Sequence, residues 1–267
     1  MHCYRRMTAK RSGASFEDAD VVANYVYRPP YPDALFTRLV EIAPAHAGLL
    51  DIGCGPGKIA RPMAAHFGRV TAVDPSHDML ALARTLPGGG ADNIEWIEDA
   101  AEHAQLGQRR FGLIVAAASI HWMQHEVLFP HLASHASRQH VVAVIGGDDA
   151  HEPPWQQQWL SFLTKWVFEV TGERFDPAVK SAYWQSYRPW LEIKGEEQFT
   201  SQPFEQSVAD FIRCQHSRDT FTAARLGPRR ADFDAELAEL LMPHAINGRL
   251  VYRIRTSLVW GSIRAPS

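Results

Sequence analysis

Through the first 150 residues, short apolar runs alternate with stretches whose apolar positions recur at helical spacing. The runs Leu49–Asp51, Arg69–Asp74, Ile94–Glu98, Phe111–Ala118 and His140–Gly146 are predicted strands. Between them lie predicted helices. Pro32 suits a first helical turn, and Leu35, Phe36, Leu39, Val40 and Ala43 repeat along one face. Ser76 can cap a helix whose buried side is Met79, Leu80, Leu82 and Ala83, and HEVLFPHLASHA from His125 reads as another. FGLIVAAA is nearly unbroken, as expected of a central parallel strand covered on both faces. Strand alternating with helix predicts an α/β class, a doubly wound and mostly parallel sheet. Upstream, Phe16–Pro32 begins as a short helix and ends in a proline-stiffened, tyrosine-rich segment.

Beyond residue 150 the pattern changes. Trp155, Trp159, Phe162 and Trp166 fall at helical spacing, followed by Phe168, Phe175, Tyr183, Trp184, Tyr187 and Trp190. Such a stripe most often packs inward, and it also suits a largely apolar or planar ligand. Glu197–Thr200 is a candidate sixth strand, Val208–Cys214 and Asp232–Met242 are helices, and Leu250–Trp260 alternates as a terminal strand. The expected division is a mobile tail over 1–13, a nucleotide-binding core over 14–147, an aromatic helical cap over 148–195 and completion of the sheet over 196–267. There are no internal repeats, low-complexity tracts or long linkers.

Composition narrows the class. The 267 residues are 46% hydrophobic and 21% charged, enough apolar material for a substantial core, with a formal net charge of −3. Nothing in that balance favours nucleic acid or an anionic membrane. Cys3, Cys54 and Cys214 are too few and scattered for a disulfide framework or a metal site, so no metal and a reduced, cytoplasmic setting are expected. No stretch approaches a membrane span of about 18 apolar residues, and the basic start MHCYRRMTAKRSG lacks the apolar core of a signal peptide.

The chemistry concentrates in LLDIGCGPGKIA, Leu49 to Ala60. An apolar run ending in Asp51 enters Gly53, Gly55 and Gly57 before helix-compatible residues begin, which reads as strand, tight turn and helix. Glycine lets a ligand approach the backbone, and a helix start offers unpaired N–H groups. A dinucleotide fingerprint requires G-x-G-x-x-G; this turn is G-x-G-x-G, with an acid two residues ahead. Asp74 ends the next strand 17 positions after Gly57, where an acid accepts hydrogen bonds from ribose hydroxyls.

That variant resembles motif I of the class I S-adenosylmethionine-dependent methyltransferases. The segment F…A…Y…RPPYP and the pair His121-Trp122 are similar to the trans-aconitate and ubiquinone/menaquinone-biosynthesis group of small-molecule enzymes. The resemblance implies a Rossmann-like seven-stranded sheet with an antiparallel last strand and a cap after strand five that binds the acceptor. It also implies S-adenosylmethionine as cofactor and S-adenosylhomocysteine as product. Cofactor contacts are expected from Tyr25, which would close the site, and from Arg28, pairing with the methionine carboxylate. Asp51, Gly53, Cys54, Gly55, Gly57 and Ala116 would border the cofactor, with Asp74 and Pro75 near the ribose. Asp99 would accept the adenine amino group and the Ala100 N–H would donate to the ring, while Met79 touches adenine or serves as ordinary core.

His121 would take a proton from an acceptor hydroxyl or contact the acceptor, with Trp122 as an apolar wall and Tyr31 beside it. The expected reaction is methyl transfer to an oxygen, with nitrogen or carbon behind it, of a small apolar or carboxylate-bearing molecule, by a monomer or homodimer. The absence of an Asn-Pro-Pro-Tyr sequence after FGLIVAAA disfavours amino-methylation of adenine or glutamine. A non-catalytic S-adenosylmethionine-binding regulatory protein and an NAD-dependent oxidoreductase are the alternatives.

Overall fold

A computed structural model describes Phe16 and residues 18–264. The proposed tail and Cys3 lie outside the described residues. In chain order the elements are α1 (Ala19–Tyr25), α2 (Asp33–Ile42), β1 (Leu49–Ile52), α3 (Ala60–Met63), β2 (Val70–Asp74), α4 (His77–Thr85), β3 (Ile94–Glu98) and β4 (Phe111–Ala117). There follow α5 (His125–His135), β5 (Ala136–Gly146), β6 (Ala150–His151), α6 (Gln156–Thr171) and α7 (Pro177–Trp184). The last are β7 (Leu191–Thr200), β8 (Phe204–Ser207), α8 (Val208–His216), α9 (Ala223–Leu226), α10 (Arg230–Leu241) and β9 (Arg249–Ile263).

The sheet runs β3-β2-β1-β4-β5-β9, parallel through β5 and antiparallel at β9. Side chains along each strand point alternately to two layers. Leu49, Leu113, Val115, Val141 and Ala143 pack with α2 and α3, whereas Leu50, Ile114, Ala116, Val142 and Val144 pack with Leu128, Phe129 and Leu132 of α5. The strand order reverses between β1 and β4, so a crevice opens at their carboxyl ends.

The described residues form nine strands rather than seven. The reason is the length of β9. At about 3.3 Å per residue its 15 residues outrun the five paired with β5, and β6, β7 and β8 take up the remaining edge. Leu250, Tyr252 and Ile254 of the overhang share a second core with Trp155, Phe162 and Trp166, joined by Phe211 of α8 and Phe233 of α10. Trp155, Phe162 and Trp166 of the aromatic stripe therefore pack inward, against elements that follow β7, whereas Phe168 is exposed. Among the described residues, no helix is long and apolar enough to cross a membrane.

Candidate functional site

At the end of β1 the chain reverses through Gly53 at φ +60°, a left-handed conformation that L side chains rarely adopt. A Cβ there would also lie 2.5 Å from Cβ of Ser119, whose hydroxyl donates to the Ile52 carbonyl at 2.7 Å. Gly55, at φ +52°, has room above it: the nearest atoms to a Cβ would be Cζ and Oη of Tyr25 at 3.8 Å. Tyr25 thus roofs the turn, and its burial raises the phenol pKa.

Two buried carboxylates hold the turn from below. Asp74 accepts the Gly55 N–H through Oδ2 at 2.7 Å and the Ser76 N–H through Oδ1 at 2.9 Å. Oδ2 of Asp51 accepts the Ala60 N–H at 3.1 Å, while its buried Oδ1 has no hydrogen-bond partner. Burial, reinforced by the charge of Asp74 and opposed by that N–H, pushes the Asp51 carboxyl up to about 8. The expected helix does not begin directly after Gly57. It starts at Ala60, lasts one turn, and its first amide is already held by Asp51.

Around this turn the other expected contacts fall at the carboxyl ends of β2, β3 and β4. Pro75 is exposed, whereas Met79 is buried with Val21 and Val22 of α1 and lies near Tyr25. Half-buried Asp99 follows β3, and its Oδ1 takes the Ala100 N–H at 2.8 Å, so that amide has a local partner. Ala116 is buried within β4. Ala118 then adopts φ +53°, ending the strand one residue before the expected boundary and turning the chain into a short 3-10 turn over Ile120–Trp122. His121 stacks on Trp184 of α7 at 3.9 Å between centroids, with Trp122 at 4.8 Å and Tyr183 at 5.7 Å.

The structure turns Arg28 and Tyr31 towards partners other than the expected ones. Arg28 donates through Nε to Oγ of Ser217 at 2.8 Å and through Nη2 to its carbonyl at 2.6 Å. Its guanidinium also lies 4.2 Å from the Tyr25 ring centroid and 3.8 Å from Asp148. Tyr31 is buried with Leu35 and Leu39, beneath the Lys58 ammonium at 4.3 Å.

Sequence reasoning missed Lys58, Asp148 and Arg218. Asp148, just beyond β5, meets Lys58 at 3.4 Å and Arg218 at 3.2 Å. Burial alone would raise its pKa, but Arg218, Lys58 and Arg28 outweigh it and hold the carboxyl well below the usual range. Burial lowers the Lys58 pKa, with Asp148 opposing. The one sequence signal was position: an Asp-Asp pair two residues past a predicted central strand.

A methyltransferase domain family matches residues 49–138, which run from β1 into β5. Residues 49–138 carry a methyltransferase domain. It is 32% identical over 123 residues to a trans-aconitate 2-methyltransferase of Klebsiella pneumoniae, covering 45% of this chain and 46% of that protein. The counterpart of Escherichia fergusonii is 37% identical over 107 residues, 39% of this chain and 40% of that one. The chain thus spans less than half the length of these curated relatives. Among solved structures, a candidate type II methyltransferase of Anaeromyxobacter dehalogenans superimposes with a TM-score of 0.70 at 23% identity, over 90% of this chain and 99% of that one. That likeness is one of fold.

The cofactor of this methyltransferase domain is S-adenosylmethionine, and the residues present fit it. Gly55 leaves open the space that a side chain would fill, and the unpartnered Oδ1 of Asp51 is a buried acceptor suited to a cationic group. The Asp74 carboxylate, tied to the turn by the Gly55 N–H, is an acceptor of the kind that suits hydroxyl donors.

Proposed function

We propose that this protein transfers the methyl group of S-adenosylmethionine to an oxygen of a small molecule bearing a carboxylate. The observation that carries the reading is the Gly53–Gly57 turn, tied to Asp74 below and roofed by Tyr25. When bound, S-adenosylmethionine supplies an electrophilic methyl carbon; the acceptor oxygen forms the new bond as the sulfonium–carbon bond breaks, leaving S-adenosylhomocysteine. Asp74 holds the ribose hydroxyls and Asp51 the cationic end of the methionine portion, while Tyr25 keeps water from the turn. Met79 and Asp99 border the adenine, and Ala100 exchanges its local contact to reach the ring.

Much of the acceleration comes from holding the acceptor in line, because the electrophile is already activated. A carboxylate acceptor needs no base. Where the nucleophile is a hydroxyl, His121 takes its proton, with Trp122 and Trp184 fixing the imidazole. The relatives named for trans-aconitate support a carboxylate on the acceptor, and so do the cations around Asp148.

Calorimetry of S-adenosylmethionine with wild type and with Asp74→Ala tests the cofactor site. Losing a hydrogen bond to a charged group costs about 1.5–3 kcal/mol, so affinity is expected to fall by roughly 10- to 100-fold. Absence of binding to wild type, or binding of NAD instead, overturns the reading. His121→Ala tests the base: full turnover on the true hydroxyl acceptor would remove His121 from that role.

A further inference from the structure

A set of contacts closes on itself at the carboxyl edge of the sheet. Starting at Asp148, it passes to Arg28 at 3.8 Å and on to the ring of Tyr25 at 4.2 Å. Phe16 continues it, packing edge-on against Tyr25 at 6.5 Å and Trp122 at 5.7 Å. Trp122 leads to His121 and His121 to Trp184, with centroids 4.8 and 3.9 Å apart. Trp184 returns to β5, its Cε3 lying 4.0 Å from where a Gly146 Cβ would stand, two residues from Asp148. One arc of this circuit is cationic and the other aromatic. Trp122, Tyr183 and Trp184 are only half-buried, unlike the fully packed rings around Phe233.

Charge is unbalanced on the cationic arc. Arg28, Lys58 and Arg218 surround one buried carboxylate, Asp148, while Asp149 reaches Arg218 from an exposed position. Three cations, Arg28, Lys58 and Arg218, thus face two carboxylates, Asp148 and Asp149, an excess of one. Nε of Arg218 is a buried donor without an acceptor. A buried N–H without a partner is costly, and a carboxylate oxygen supplies what it lacks.

We propose that the methyl acceptor is an aromatic monocarboxylic acid, its single carboxylate bound by Arg218 and Lys58 and its ring lying against the Trp122–Trp184 wall. This rests on the methyltransferase reading above and adds the substrate class. Asp148 and Asp149 balance two of the three cations, so a monoanion completes the arc and a trianion such as trans-aconitate overfills it.

The test is binding rather than turnover, with the protein saturated by S-adenosylhomocysteine and titrated with benzoate, benzamide, phthalate and trans-aconitate. Benzoate is expected to bind at least tenfold more tightly than benzamide, its neutral counterpart, and more tightly than either polyanion. Arg218→Gln is expected to abolish the preference over benzamide and Arg218→Lys to restore part of it. Trp184→Leu should weaken benzoate severalfold, and Asp148→Asn should move the preference towards phthalate. Binding of S-adenosylhomocysteine reports that each variant is folded. Equal affinity for benzoate and benzamide, tighter binding of trans-aconitate, or an Arg218→Gln protein indistinguishable from wild type would overturn the proposal. In each case the cofactor would still bind, whereas failure of S-adenosylhomocysteine to bind wild type would bring down the methyltransferase reading itself.

Discussion

At Asp51, burial and charge act against each other. Its carboxyl titrates at about 8 in the folded chain against an ordinary 3.8, so folding retains a proton that the unfolded chain releases. The associated stability is complete below about pH 4 and is lost as pH rises through about 8. The melting temperature of the ligand-free protein is therefore expected to fall across that window. Asp51→Asn should flatten the curve, by about 2–4 °C for each kcal/mol recovered; parallel curves for the two proteins would show that Asp51 does not titrate there. The glycines, Asp51 and Asp74 were legible in the sequence because a βα turn brings them together over few residues. Lys58, Asp148 and Arg218 were not, since Asp148 lies 90 positions from Lys58 and 70 from Arg218 and only the fold makes them neighbours. Arg28 was expected to pair with the cofactor carboxylate, whereas the partners that the structure gives it, Ser217 and Asp148, belong to distant elements.

Among the elements, periodicity located the strands well and their ends less well. FGLIVAAA reads as one run, yet a left-handed Ala118 stops β4 early and begins the turn that carries His121. No hydrophobic pattern encodes that dihedral angle. The stripe on α6 announced a buried face without saying what buries it; the partners are α8, α10 and the overhang of β9. Phe233 is fully buried where these meet, packed at 5.1 Å from Phe162 and Trp166 and 4.9 Å from Phe221. Phe233→Ala should destabilise the fold by about 3–5 kcal/mol, read by chemical denaturation, and a loss below about 1 kcal/mol would mean that this core collapses easily around the void.

For the whole molecule, the crevice is bordered by residues from α1 to the end of α8, so cofactor binding should couple to global unfolding. At S-adenosylmethionine 100-fold above its Kd, mass action predicts about 2.7 kcal/mol of stabilisation. A thermal scan should show a rise of several degrees, with no response to NAD; no rise despite calorimetric binding would mean that the cofactor also binds the unfolded chain.

The placement of β9 also bears on how this chain folds in time. Its partners on β5 lie 111 residues away at Gly146 and Ser257. Residues 49–146 can align five parallel strands by themselves, but β5 keeps an exposed edge until the far end of the chain arrives. Loop closure over such separations is slow. Refolding should therefore pass through a species with the β1–β5 ladder formed and that edge bare, which is the point at which dilute protein recovers and concentrated protein aggregates.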